Sequence, residues 1–493
     1  MSSVRITLIL RGIIAFWALL GITNLLFAQE IPITTSDGDA QSLFVQGRDL
    51  FDNLRYDEAQ KLFDQALQKD PDFAMANVYR ALAATSDADF AKYLDKAVSR
   101  KSQVSDGERL IIESLKASSE NDQMKSINLL REAIESYPQD KRLHHLLGIS
   151  YQGARMTDEA KDQYTMAINI DPNYAPAYNN LGYLFRQEGN FEEAENAFQN
   201  YIRVLPDEAN PHDSIGDLYT KMGKYDMAIE HYQKAVSLNP KFFFSQQKIG
   251  DNLVFKGKFA EGRAAYNKAL AMAPDVANKI VVQQGLANTW LFENNPDRAI
   301  EDNKLAIKWA EENSLPENAA TIYQMQALIN LENGRLQEAK ANLEACDTIV
   351  SSQNLTENRK HRLSLLSLRN NALLAAKSGN FDQAMDFADQ LGKKVEEAGN
   401  PNEIKMANAV SGIIYYEKGD YPNAIAKLNE SDVNSPHAQF YLAESYQKAG
   451  QAEEAQAIYK KVAQWNENNL EYALVRTKAM TAARTKLASE EEQ

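Results

Sequence analysis

Apolar side chains in the stretch 175–207 recur at the spacing of a helix surface. Tyr178, Leu181, Gly182 and Phe185 fall on one stripe of a first helix, and Ala194, Phe198 and Tyr201 on the matching stripe of a second. Gly189-Asn190 predicts the turn between them. Pro206 predicts the end of the second helix, because proline lacks a backbone N–H and clashes with the preceding turn. Gly182 has no side chain to hold the neighbouring helix away, so the two helices are expected to pack closely as an antiparallel pair.

The pair repeats. Prolines stand at Pro138, Pro172, Pro206, Pro240 and Pro274, each 34 residues after the last, and small residues keep step at Ser114, Gly148, Gly182, Gly216 and Gly250. A fixed period of this length marks a solenoid, in which each unit buries its stripe only against its neighbours. The register divides the chain into six parts. Residues 1–28 read as a signal peptide and 29–39 (through IPITTSDGD) as a linker. Residues 40–138 read as divergent N-terminal repeats, in which Ser105-Asp106-Gly107-Glu108 predicts a capping box that starts a helix. Residues 141–274 are four regular repeats. Residues 275–465 are longer, irregular ones, marked by Ala299, Ala339, Ala384, Ala424 and Ala455. Residues 466–493 read as a capping helix and tail.

These residues resemble the tetratricopeptide repeat (TPR) family, over about 40–465 and most closely over 141–274. The chain as a whole resembles exported bacterial TPR proteins without assigned enzymatic activity. The resemblance implies an all-α fold: a right-handed, TPR-type superhelical solenoid of antiparallel helix pairs, with strict 34-residue repeats in the middle and irregular ones beyond. It also implies a concave groove, lined by first helices, for a peptide or protein partner. Family members that grip a chaperone's C-terminal carboxylate use lysine, asparagine and arginine at set positions. Here those positions hold His145, Ile149, Asn180, Asn210 and Ser214, so only the central asparagine matches and that clamp is not expected.

Charge and composition narrow the function classes. The formal net charge is −15, with 53 Lys plus Arg against 68 Asp plus Glu. No basic run that would hold a phosphate backbone appears beyond the N-terminus, so no nucleic-acid partner is expected. Arg5 and Arg11 precede or open a hydrophobic run from Gly12 to Phe27 that is followed by Ala28, the pattern of an export signal. The expected location is periplasmic or secreted. The alternative is an inner-membrane anchor formed by residues 6–27, which would be the chain's one membrane contact. Cys346 is the one cysteine, which excludes an internal disulfide, and it sits where a second helix carries a small packing residue.

No phosphate-binding glycine loop, G-x-S-x-G elbow or H-E-x-x-H motif occurs. His144 and His145 are adjacent, so on a helix they point apart; the first is expected to pack and the second to face the groove. No catalytic, cofactor-binding or metal-binding residues are therefore expected. The candidate binding surface is the groove side of the regular repeats: Asn179, Asn180, Tyr183 and Arg186, then Asp213, Asp217 and Lys221. Tyr183 lies off the packing stripe and would supply an apolar contact, with the others selecting polar and charged groups. A non-catalytic interaction scaffold of the bacterial cell envelope is the reading these residues favour. The alternatives are a membrane-anchored sensor or assembly subunit, and an enzyme built on the same frame.

Overall fold

The computed structural model describes residues 30–490 apart from 85, 353 and 354, and side chains throughout except at 87, 352 and 485–490. The signal segment and the last residues of the tail lie outside this range. The described residues are mainly helical hairpins, in two compact units divided between Ser214 and Ile215. None of their helices is long and apolar enough to cross a membrane.

The first unit comprises α1 (Gly38–Asp52), α2 (Tyr56–Lys69), α3 (Ala74–Leu82), α4 (Asp87–Arg100), α5 (Asp106–Ser119), α6 (Gln123–Ser136), α7 (Lys141–Gly153), α8 (Thr157–Ile170), α9 (Ala175–Glu188) and α10 (Phe191–Val204), and ends in the first residues of α11 (Ala209–Lys221). The capping box forms as its residues predict. Ser105 Oγ accepts from the Glu108 N–H while the Glu108 carboxylate accepts from the Ser105 N–H at 3.0 Å, so two orphan donors of α5 are satisfied together. In the hairpins α1–α2, α7–α8 and α9–α10 an aromatic ring of the second helix presses on a glycine of the first, Gly47, Gly148 and Gly182 respectively. A Cβ built on Gly182 would stand 2.5 Å from the Phe198 ring, and one on Gly148 2.5 Å from that of Tyr164. The glycine period is thus the footprint of ring edges, which leave no room for a methyl group.

The second unit continues with the rest of α11 and then α12 (Tyr225–Leu238), α13 (Phe243–Phe255), α14 (Phe259–Met272), α15 (Val276–Phe292), α16 (Pro296–Glu312), α17 (Pro316–Glu332), α18 (Leu336–Ser352), α19 (Glu357–Lys377), α20 (Phe381–Ala398), α21 (Pro401–Lys418), α22 (Tyr421–Asn429), α23 (Pro436–Lys448), α24 (Ala452–Ala463) and α25 (Leu470–Glu490). The same lock recurs at Gly216 with Tyr232 and Gly250 with Tyr266, and in the irregular part the aliphatic Leu428 takes the ring's place against Gly412. The longer steps of this half are longer helices, such as α19 of 21 residues, rather than a change of architecture. Cys346 is fully buried, with its sulfur 3.1 Å from Gln324 Nε2, and burial pushes its thiol up.

Two stretches differ from expectation. Residues 31–37 are non-helical, as a linker would be, yet they are docked: Ile31 is buried in the core of the first unit. α25 does pack on α24 as a terminal cap would, but it also crosses onto α15, α17 and α23. Tyr472, Leu474 and Val475 enter the core of the second unit there, so this helix is a wedge within the stack as well as its end.

Candidate functional site

The candidate groove residues fall in both units. In the first, α9 presents Asn179, Asn180, Tyr183 and Arg186 on one half-buried face, and the residues bind one another or their neighbours. Ser214 Oγ donates to Asn179 Oδ1 at 3.0 Å and receives the Tyr183 hydroxyl at 3.2 Å. The Arg186 guanidinium lies 4.8 Å from the centre of the Tyr183 ring. That ring also meets Phe198 edge-on at 5.2 Å, so Tyr183 packs as well as lining the face. Asp213 is buried.

Asn180 is fixed from the neighbouring repeat. Burial pushes the His145 imidazole down to about 4, so the ring is neutral near pH 7. Its Nδ1 and Nε2 lie 3.3 Å from the Tyr174 hydroxyl and 3.0 Å from Asn180 Nδ2. As the amide donates to Nε2, the ring proton sits on Nδ1 and points at the tyrosine oxygen. His144 packs as expected, its ring nitrogens against Gln163 and the Pro138 carbonyl. Among the described residues no group of three or more acidic, histidine or cysteine side chains is placed to hold a metal.

In the second unit the remaining two candidates meet the chain itself. Lys221 Nζ donates to the Trp465 carbonyl at 3.3 Å and lies 4.8 Å from the centre of its ring. Asp217 accepts from the Tyr232 hydroxyl at 2.7 Å and pairs with Lys248 at 2.8 Å. The segment after Trp465 is non-helical, turning at Asn466 (φ +56°) and again where the Asn469 N–H donates to the Glu467 carbonyl, and it is gripped along its length. Tyr225 donates to Asn466 Oδ1 at 2.6 Å, while Asn468 Nδ2 reaches Asp251 Oδ1 at 2.7 Å and the Gly285 carbonyl at 3.3 Å. Burial pushes the Asp251 carboxyl up to about 6, against the opposing hydrogen bonds from Tyr266 and Asn468.

A comparable arrangement in the first unit went unread in the sequence. Residues 30–35 cross the first-helix face made by α1, α3, α5 and α7. The Ile31 N–H donates to Asp140 at 3.1 Å, the Thr34 N–H to Glu108 at 2.8 Å, and the Thr35 hydroxyl to Asp70 at 2.6 Å. Glu30 stands 3.4 Å from Arg142 and 3.6 Å from Arg48. A cavity of about 50 Å³ beneath the segment is walled by Tyr79, Tyr174 and Asp52.

Also unforeseen is a buried ionic cluster in the second unit. Glu332 is met by His437, Lys377 and Lys478 at 3.3, 3.4 and 3.5 Å and accepts from the Tyr441 hydroxyl at 2.8 Å. Burial alone would raise its carboxyl, and its partners His437, Lys377 and Lys478 more than offset that and hold it well below the usual range. No periodicity announces such a cluster, whose members come from α17, α19, α23 and α25.

Family models described as tetratricopeptide repeat match residues 44–103, 163–196, 214–242, 245–276, 320–349 and 415–479, together roughly half of the chain. The chain belongs to the tetratricopeptide repeat family. TPR proteins of this kind are protein-interaction scaffolds, and that is the class to which the chain is assigned. Among solved structures it is similar to a tetratricopeptide repeat protein from Parabacteroides merdae ATCC 43184, 18% identical over 53% of this chain and 99% of that one, with a TM-score of 0.40. A MamA structure is 26% identical over 32% of this chain and 93% of its own, with a TM-score of 0.30. YrrB, a TPR protein with an unusual peptide-binding site, is 19% identical over 38% of this chain and 94% of its own, with a TM-score of 0.29. No curated protein matches the sequence.

Proposed function

We propose that the chain is a non-catalytic scaffold of the bacterial cell envelope whose first-helix faces bind an extended segment of a partner protein. One observation carries this: in each unit a stretch of non-helical chain already lies against such a face, held by side-chain hydrogen bonds rather than by strand pairing or by an apolar seam alone. A face that grips a polypeptide in this way has the chemistry a peptide ligand needs. On α9 the row Asn179, Asn180, Tyr183 and Arg186 offers amides, a guanidinium and an aromatic ring from a rigid support. Export rests on the sequence of Met1 to Ala28, where two arginines accompany a hydrophobic run that ends in a small residue.

The test is site-directed photo-crosslinking in intact cells. A photoreactive residue in place of Arg186 should form adducts with a polypeptide in the envelope, and adding Asn180→Ala should reduce them at least severalfold. Adduct yields equal to those from Glu192, on the exposed side of α10, would remove this face from consideration. A reporter fused after Gln29 should appear outside the cytoplasm, and retention inside would refute the envelope assignment.

A further inference from the structure

In the first unit, three of the groups that seat residues 30–34 are fixed to the scaffold by a second bond. Glu108 is 1% exposed, and one of its oxygens accepts from the Ser105 N–H and hydroxyl at 3.0 and 2.8 Å while the other accepts from the Thr34 N–H. Asp140 Oδ1 accepts from the Arg142 N–H at 2.9 Å, the N-cap bond of α7, and Oδ2 takes the Ile31 N–H. Arg142 is held by Asp52 at 2.6 Å and meets Glu30 only with a further nitrogen at 3.4 Å. Removing the segment would leave all three groups oriented. The segment itself is lightly anchored, with Ile31 buried, Glu30 and Pro32 exposed, and Ile33, Thr34 and Thr35 half-buried. A seat that keeps its shape without its occupant has little ordering cost left when a ligand arrives.

We propose that this face is a binding site for an extended peptide of the form acidic–aliphatic–proline–aliphatic–threonine, that residues 30–34 are its resident occupant, and that a partner polypeptide of the same chemistry displaces them. Arg48 and Arg142 select a carboxylate at the first position. The space Ile31 fills, bounded where a Cβ on Gly107 would stand 2.9 Å away, selects an aliphatic side chain at the second. Asp140 takes that residue's N–H, so proline is excluded there. At the third position proline is favoured, since its fixed φ presets the extended backbone. Glu108 takes both the N–H and the hydroxyl of the threonine. The inference rests on the peptide-scaffold reading, but it concerns the face of α1 to α7. The crosslinking above probes α9, so either can fail alone.

The experiment is a fluorescence-anisotropy titration of a labelled peptide of residues 30–37 into the purified chain and two variants. Glu30→Lys repels the resident segment from Arg48 and Arg142 at an exposed position, and Ile31→Asp sets a carboxylate against Asp140. Affinity should rise at least fivefold in the first and tenfold in the second relative to the intact chain, and a scrambled peptide should not bind. Equal binding to the intact and Glu30→Lys chains, no saturable binding to the Glu30→Lys chain, or equal binding of the scrambled peptide overturns the proposal. An intact chain found by light scattering to be a dimer that Glu30→Lys dissociates would also overturn it, in favour of a second copy as the occupant.

Discussion

The first unit and the second each hold a stretch of their own chain on a first-helix face, but they hold it with different forces. Residues 30–35 of the first unit contribute one fully buried side chain, Ile31, and a half-buried one, Ile33, and rely besides on hydrogen bonds and on the ion pairs of Glu30. Residues 465–469 of the second unit contribute Trp465 and lead directly into α25, whose Tyr472, Leu474 and Val475 join the same core, besides the hydrogen bonds of Asn466 and Asn468. Hydrogen bonds exchanged against water contribute little net stability each, whereas every large apolar side chain buried contributes about 1.5–3 kcal/mol. The difference separates an occupant that can leave from one that is part of the fold. The C-terminal segment shows what the faces can grip; the N-terminal one shows which face can be vacated.

The largest expected effect sharpens that contrast. Trp465→Ala should destabilise the second unit by about 3–5 kcal/mol, as large aromatic deletions do. Ile31→Ala should cost the first unit only about 1–2 kcal/mol, because its site sits at the edge of the unit and can collapse. Denaturant midpoints check the pair, and equal losses would erase the distinction.

The frame beneath both faces is tested by Gly182→Leu. With the Phe198 ring 2.5 Å from the built Cβ, this variant should lose about 1–3 kcal/mol through forced repacking. An unchanged melting temperature would contradict the glycine-to-ring lock.

The grip on Asn468 can be read through pH. The Asp251 carboxyl is raised from 3.8 to about 6 in the fold, so it favours folding while protonated. Its contribution is complete below about pH 4, where the unfolded group is also protonated, and is lost as pH rises through about 6. Relative to Asp251→Asn, the wild-type chain should therefore lose about 2 kcal/mol of stability between pH 4 and pH 7. A difference that is flat across this range would show that the carboxyl is not desolvated.

The hairpins were legible because their cause is local. Pro172 and Pro206 end helices, and Gly182 and Phe198 meet within one repeat, so a period of 34 residues records the packing directly. The capping box at Ser105 and Glu108 was legible for the same reason. The candidate face on α9 could be placed, but its condition could not. Whether Asn180 is free or fixed by His145 depends on the neighbouring repeat. The seats of residues 30–35 and 465–469 were invisible because short polar stretches carry no period. Their partners are also distant: Ile31 finds Asp140 across 109 residues, and Trp465 meets Lys221 across 244. Tyr183 shows the limit from the other side, since its position off the main stripe did not reveal its edge contact with Phe198.

Amide hydrogen exchange of the intact chain tests most directly whether one occupant is exchangeable and the other structural. The Ile31 and Thr34 amides, bonded to Asp140 and Glu108, should exchange by local opening, roughly a hundredfold faster than those of Tyr472 and Ala473, which are bonded to Asn469. Equal protection of the two pairs would mean that residues 30–35 open only when their unit unfolds, and would contradict the account.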